Sequence, residues 1–429
     1  MPTADRPQEP AHPVRTSGFR RATEPLSNPR FRNVFFGNIA FFLALGGQGV
    51  VRPWLAFQLT GDEFDLGLMG AAVALPMLLL SPFGGVLADR VERRGLMMMA
   101  QTIALASEAG VLGLILADRI EFWHLVVSSV LVGCCFPLVM PTRNAVIVHI
   151  VGKRATGPAM SLNMAGYNVT RVVGPATAGF LIPVVGVAGV YAMAVALYVV
   201  AIALTAGIGR LPPPPGVTDR SARHNLLEGF QYVGANRLVL VLLALGLVPM
   251  VLAMPVQQLL VVFAENVWKT GAPGTGQLFA AMGVGAVMGS FWMATRPPDA
   301  GRLKMMMISV VAFGGFVVLF ATSPRFGPAL ALLVAANVFQ SAFSTLNNVA
   351  IQLVIPDSHR GRISSFLTMS ASLPLLGSLP VAALAKAVGA PIAVSAASAL
   401  AVVLALVFYA ASGELRQLDR RIRRAMRDH

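Results

Sequence analysis

Gly84-Gly85-Val86-Leu87-Ala88-Asp89-Arg90-Val91-Glu92-Arg93-Arg94-Gly95 is a basic, glycine-flanked stretch set between two long apolar runs. The run before it, Leu66 to Ala88, carries no charge, and the run after it, Leu96 to Ala117, carries only Glu108. A hydrocarbon core about 30 Å thick is crossed by about 20 apolar residues in a helix, so each run is long enough to span it. The stretch reads as a short cytoplasmic loop, with Asp89, Arg90, Arg93 and Arg94 at the membrane surface.

Comparable apolar blocks recur along the chain, at about 33 to 57, 66 to 88, 96 to 117, 122 to 142, 158 to 183 and 187 to 209. A polar interval from Arg210 through Pro212, Pro213, Pro214 and Pro215 to Arg237 separates these from blocks at about 238 to 263, 275 to 295, 303 to 323, 327 to 354, 363 to 388 and 391 to 411. With 56% hydrophobic and 12% charged residues, the composition excludes an ordinary soluble domain. The expected fold is all-α and polytopic: twelve transmembrane helices in two six-helix halves. Residues 1–32 form a disordered cytoplasmic tail, 33–209 and 238–411 the two bundles, and 210–237 a cytoplasmic linker whose segment 226–233 has the spacing of a surface helix. Residues 412–429 form a basic amphipathic tail, with Leu415, Leu418, Ile422 and Met426 at helical spacing. A shift of 204 residues superimposes Asn144, Ile147, Gly157 and Ser161 on Asn348, Ile351, Gly361 and Ser365, which favours a parallel internal repeat.

The net charge of +14 does not point to nucleic acid, because the basic residues lie between apolar blocks and in the tails. Of the 33 Lys and Arg, 27 fall in the tails and on one side of the blocks, four (Arg119, Lys269, Arg325, Lys386) on the other side, and two (Arg52, Arg171) within spans. Twelve of the 27 are in the tails, so the loops divide 15 to four. The positive-inside rule then puts both termini in the cytoplasm and the chain in the plasma (inner) membrane. Cys134 and Cys135 are adjacent in an apolar run, where they are packing residues rather than a disulfide or a metal site. No cofactor or metal is implied.

Gly85-x-Leu87-Ala88-Asp89-Arg90-x-x-Arg93-Arg94 resembles the signature between helices two and three of the major facilitator superfamily, with Glu92 standing where that family usually has glycine. Gly174-Pro175-x-x-Ala178-Gly179 in the fifth block resembles the fifth-helix signature of its exporters, which usually ends in Gly-Gly. The stretches Trp54 to Gly61, Pro141 to Ala145, Leu227 to Phe230 and Ile355 to Arg362 resemble the branch holding enterobactin-type siderophore exporters and macrolide efflux proteins. The resemblance implies a monomeric rocker-switch carrier with a cavity lined by spans one, four, seven and ten. It makes Gly85, Asp89, Arg90, Arg93 and Arg94 candidates for a conformational gate. Asn38, Gln48, Gln257, Gln258, Asn337, Gln340, Ser344, Asn347 and Asn348 are candidate lining residues, because a polar side chain within a membrane usually faces the bundle interior. Helix-to-helix hydrogen bonding is the alternative for each.

Two ionisable residues lie deep. Arg171 is about 20 Å into the fifth block, too costly to face lipid, and is either a charge at the substrate or coupling site or one half of a fixed structural pair. Glu108 is the one deeply placed acid and is either a proton-coupling group or a structural one; Arg52, near the outer end of its span, is expected to snorkel to the surface. His149 reads as a surface or packing residue. Without a Gly-x-x-x-x-Gly-Lys-[Ser/Thr] motif, transport draws on a gradient, with protons the candidate ion. The expected function is export of bulky amphipathic molecules. An uptake permease of the same fold is the alternative. A membrane-embedded enzyme lacks its motifs, since His-Glu-x-x-His and Gly-x-Ser-x-Gly are both absent.

This layout predicts that single cysteines at Asp62, Lys269 and Arg325, in a variant lacking Cys134 and Cys135, react with an impermeant thiol reagent added outside intact cells. A cysteine at residue 220 should not react. Labelling of residue 220 from outside would overturn the topology.

Overall fold

The computed structural model describes residues 23–211, 231, 234–296, 301–354 and 372–416. The Asn28 side chain accepts from the amides of Arg30 and Phe31, and with Pro29 in the first turn it starts α1 (Pro29–Thr60). Gly61, in the left-handed conformation at φ 66°, ends α1. Asp62 caps α2 (Glu63–Arg90) by accepting from the Phe64 amide at 2.9 Å. The loop expected over Gly84–Gly95 is much shorter than its sequence: α2 is helical through Asp89 and Arg90, and only Val91 and Glu92 precede α3 (Arg93–Leu116). Val86 to Arg90 contains no helix breaker, so α2 continues beyond its apolar run. Glu92 accepts from the backbone amide of Leu211, tying this turn to the end of α6, at 3.4 Å.

The next three helices are α4 (Phe122–Gly152), α5 (155–185) and α6 (187–206). Gly152 (φ 69°, ψ 170°) and Gly186 (φ 71°, ψ 176°) break this run in a conformation open essentially only to glycine. α4 runs ten residues beyond the expected block end at 142. After it come α7 (Arg237–Val267), which loosens at Ala253–Pro255 and ends in a π-turn over Phe263–Val267, and α8 (Gly271–Ala294), α9 (Arg302–Ala321), α10 (Phe326–Val354), α11 (Leu373–Val388) and α12 (Ala390–Ala411). Among the described residues, ten apolar helical stretches are long enough to cross a bilayer, and the 52-residue stretch Ala155–Ala206 divides in two at Gly186, giving ten or eleven passages. The expected block at 363–388 lies partly outside the described residues, as do most of the linker helix at 226–233 and the basic tail beyond Arg416. Leu79, Leu116, Phe180 and Phe291 are each two-thirds or more exposed, as side chains facing lipid tails would be.

The packing differs sharply between the two ends of the molecule. At the end bearing Asp62, Arg119, Lys269, Arg325 and Lys386, one continuous apolar cluster takes in Val50 to Phe57 of α1, Leu66 of α2, Ile182 of α5, Val256 to Ala264 of α7, Leu278 of α8, Phe320 of α9, Ala329 of α10, Ala385 of α11 and Ala393 of α12. At the opposite end the described residues form two separate clusters. One holds Phe31, Met97, Ile147, Ala159 and Ile208; the other holds Leu238, Met306, Ile351 and Leu415. Helices up to α6 and helices from α7 onward therefore meet at one end, while at the other the described residues form a separate cluster in each set.

Glycine lets the joined end close. A Cβ on Gly276 would lie 2.7 Å from the Gly179 Cα, so α5 and α8 touch backbone to backbone there. Gly67 and Gly70 bring α2 equally near Ser378 and Ala382 of α11, where the Ser378 hydroxyl donates to the Gly67 carbonyl at 3.1 Å. The Trp54 indole donates to Glu265 at 2.6 Å, linking α1 to α7. Lys386 donates to Asp62 and holds that carboxyl below the usual carboxylate range. The pair's contribution to closure is therefore complete between the ordinary aspartate and lysine ranges, and is lost as pH falls through the depressed value of Asp62 or rises through the raised value of Lys386.

Gly276→Val must push α5 from α8, at an overpacking cost of about 1–3 kcal/mol. That should shift the population away from the closed end by roughly fivefold or more. Spin labels at Asp118 and Arg325, in a background without Cys134 and Cys135, should report longer distances in this variant; an unchanged distance distribution would show that the contact does not hold the end shut.

Candidate functional site

Two cavities lie below the joined end. One opens between α1, α5, α7 and α8 and is lined by Phe42, Gly46, Tyr167, Arg171, Gln257 and Met282, with a volume of about 170 Å³. The other, of similar volume, lies among α7, α9 and α10 and is lined by Gly246, Met254, Phe313, Gln340, Ser344, Asn347 and Asn348. Both walls are largely apolar with a few polar groups, the usual make-up of a small-molecule site. The first is the one shared by the two sets of helices, so relative movement of the sets would reshape it.

Of the expected lining residues, Gln257 is in the first cavity and Gln340, Ser344, Asn347 and Asn348 are in the second. Gln340 points its amide at the Met254 sulfur, 3.8 Å away, and Asn347 packs on Gly246. Gln258 is half-buried and lines neither cavity. Asn337 donates to the Leu333 carbonyl at 2.9 Å and packs against Gly285 of α8, the helix-contact role. Asn38 and Gln48 also line neither cavity: both are buried on the α1 face that carries Phe41 and Arg52. Spacings of three and four place these residues on one helical face, where Asn38 meets Arg143 of α4 and Asn163 of α5, Phe41 meets Tyr198 of α6 and Arg52 meets Glu108 of α3.

That face carries the buried charges. Arg52 donates to Glu108 of α3, and both side chains are nearly inaccessible. The expectation that Arg52 snorkels is thus corrected: the guanidinium turns inward to Glu108, whose opposite charge offsets part of the desolvation cost of burying it. The second Glu108 oxygen has no hydrogen-bond partner. The Tyr191 hydroxyl of α6 lies beside the Arg52 guanidinium without hydrogen-bond geometry, and the Tyr198 hydroxyl is within electrostatic reach of Arg52, Glu108 and Arg143.

Arg171 stands apart. It lines the first cavity, with its guanidinium 5.9 Å from the Tyr167 ring centroid, and is paired with no carboxylate among the described residues. Gly174 packs on α1 at Leu43 and Gly46, Pro175 lies against Gly46, and Gly179 meets Gly276. The fifth-helix signature residues therefore bring α5 close to both α1 and α8 while Arg171 faces the space between. Gly85, Asp89 and Arg90 belong to the last turns of α2, and their side chains lie outside the described residues; Arg93 and Arg94 open α3 and are half-buried.

Arg143 was missed by the sequence reading. It is 2% exposed on α4, donates to the Asn38 amide oxygen, and has no carboxylate partner among the described residues. The depth argument that singled out Arg171 would have found it, had α4 been extended past residue 142.

The transmembrane secretion effector family matches residues 21–426 of the chain. Enterobactin exporters EntS of Shigella boydii and Escherichia coli are 26% identical to it over 345 residues, covering 80% of this chain and 82% of theirs. The nucleoside transporter NupG has a similar fold, with a TM-score of 0.71 at 15% identity over 89% of this chain and 98% of its own. A bacterial homologue of the iron transporter ferroportin in its inward-facing state gives 0.67 at 16% identity, over 92% and 99%. A bacterial homologue of the lysosomal transporter Spinster, inward-facing and unoccupied, gives 0.69 at 16% identity, over 96% and 99%. The chain belongs to the transmembrane secretion effector family and is a multi-pass membrane transporter of the major facilitator fold, not an enzyme.

Proposed function

We propose that this transporter exports bulky amphipathic molecules by alternating access between two six-helix halves, α1–α6 and α7–α12. It works as a monomer in the inner membrane, with both termini cytoplasmic. The observation that carries this reading is the contrast between the two ends. Apolar packing and glycine contacts join the sets above the cavities, and below them the described clusters stay separate. With the termini in the cytoplasm, the contrast supports an inward-open state, ready to take substrate from the cytoplasmic side. The naming of the 26%-identical relatives as exporters supports the outward direction. The lining of Phe42, Tyr167 and Met282 beside Arg171 and Gln257 suits an amphipathic aromatic substrate. Counterflow of a labelled amphipathic compound should load inverted membrane vesicles and not right-side-out ones; the opposite asymmetry would make the protein an uptake permease.

Protons are the proposed driving ion, and Glu108 is the carboxylate that carries them. What supports this is its burial, its one engaged and one unpartnered oxygen, and the presence of Tyr191 and Tyr198 within electrostatic reach of it and of Arg52. Protonation would weaken the hold on Arg52 and change the packing of α1 against α3. Removing one partner of such a pair leaves the other charge buried, at a cost of about 3–5 kcal/mol. Glu108→Gln should therefore lower the melting temperature, and Arg52→Gln with Glu108→Gln should restore much of it. The double variant should still bind substrate yet release no protons against it, as read by a pH dye inside proteoliposomes. Wild-type proton flux in the double variant would remove Glu108 from the mechanism.

A further inference from the structure

The buried charges of the first six helices do not balance. Among the described residues the buried acids comprise Glu108 alone, and Arg52 takes it. Arg143, equally buried, has only neutral neighbours: Nη1 donates to Asn38, whose own amide donates to Asn163 of α5 at 2.8 Å. Nε and Nη2 have no hydrogen-bond partner. The guanidinium carbon lies 4.1 Å from the Phe41 ring centroid and 4.8 Å from that of Phe42. Aromatic faces offset part of the cost of burying a cation, but they leave its donors unsatisfied.

Phe42 is also a wall of the cavity that holds Tyr167 and Arg171, and it packs edge-on against Tyr167 with centroids 4.7 Å apart. A single aromatic ring thus separates an uncompensated guanidinium from the space between the two sets of helices. An arginine fork presents parallel donors suited to a carboxylate, sulfonate or similar planar or tetrahedral anion. We propose that Arg143 is the counter-charge for an acidic group of the transported molecule. The Phe42 ring turns aside to admit that group, while the apolar body of the ligand rests against Tyr167 and Met282 near Arg171. The transported class is then an aromatic or amphipathic organic acid. This assignment rests on the transport reading above for the word transported, but not for the binding itself.

Two fluorescent probes that share an anilinonaphthalene frame separate the charge from the apolar body: 1-anilinonaphthalene-8-sulfonate and neutral N-phenyl-1-naphthylamine. Binding to the full-length protein in nanodiscs is measured by anisotropy, with empty nanodiscs subtracted. The wild-type protein should prefer the sulfonate, and Arg143→Gln should weaken sulfonate binding by about tenfold or more while leaving the neutral probe within about twofold. Arg143→Lys, which keeps the charge without the fork, should fall between. Because an unpaired charge is removed, Arg143→Gln should melt no lower than wild type, and Arg143→Met provides a second uncharged variant. Equal loss of both probes, no loss of the sulfonate, or no sulfonate preference in the wild type would each overturn the assignment. If vesicles show no transport of either probe while the binding preference follows Arg143, the export reading fails and the anion site stands.

Discussion

Backbone-to-backbone approach at one end of the molecule is the constraint on which the rest of the structure depends. Gly179 against Gly276, and Gly67 and Gly70 against Ser378 and Ala382, leave no room for a Cβ between the facing helices. In lipid the hydrophobic effect does not drive helices together, since the tails are as apolar as the side chains they would cover. Close contact, and the dispersion it recovers, has to come from small residues. These are concentrated where α5 meets α8 and α2 meets α11, and the apolar cluster running from Val50 to Ala401 surrounds those contacts.

Because closure rests on shape rather than on strong charge pairs, it is well suited to being reversible. Among the described residues the polar links across the joined end are few: Trp54 to Glu265, the exposed Lys386 to Asp62, and Ser378 to a backbone carbonyl. Exposed pairs of this kind are screened by salt and hold weakly. The strong electrostatics lie elsewhere, inside the first set of helices, where Arg52 and Glu108 are buried against each other in this state. Helix α1 connects the two regions: Gly46, Gly47 and Phe42 face α5 and the cavity, while Gln48 and Arg52 face the interior.

Arg52 and Arg143 show how depth in a span and position around the helix carry different information. Counting residues from a block's end gives depth, and on depth alone Arg52 looked able to reach the surface and Arg143 looked as if it were already there. The first turned inward because Glu108, 56 positions away in sequence, comes to face it. The second is enclosed because α4 continues as a helix past its apolar block to Gly152. Likewise Asn38 and Gln48 were legible as buried polar residues but not as members of an interior face, which depends on which neighbours α1 acquires.

By itself, the sequence determined the solvent and the scaffold. Long apolar blocks can only be satisfied as helices in lipid, because every backbone group must find its partner within the segment. The charge bias of the loops marks two different surfaces, and glycine–proline patterns mark faces where helices come close. The tertiary structure alone decided which helices meet, which end is shut, and which buried charge has a partner. Those outcomes depend on contacts between residues hundreds of positions apart, such as Gly67 with Ser378 or Trp54 with Glu265. A periodicity read along one helix specifies a face, but what that face touches is fixed only when the other helices are packed around it.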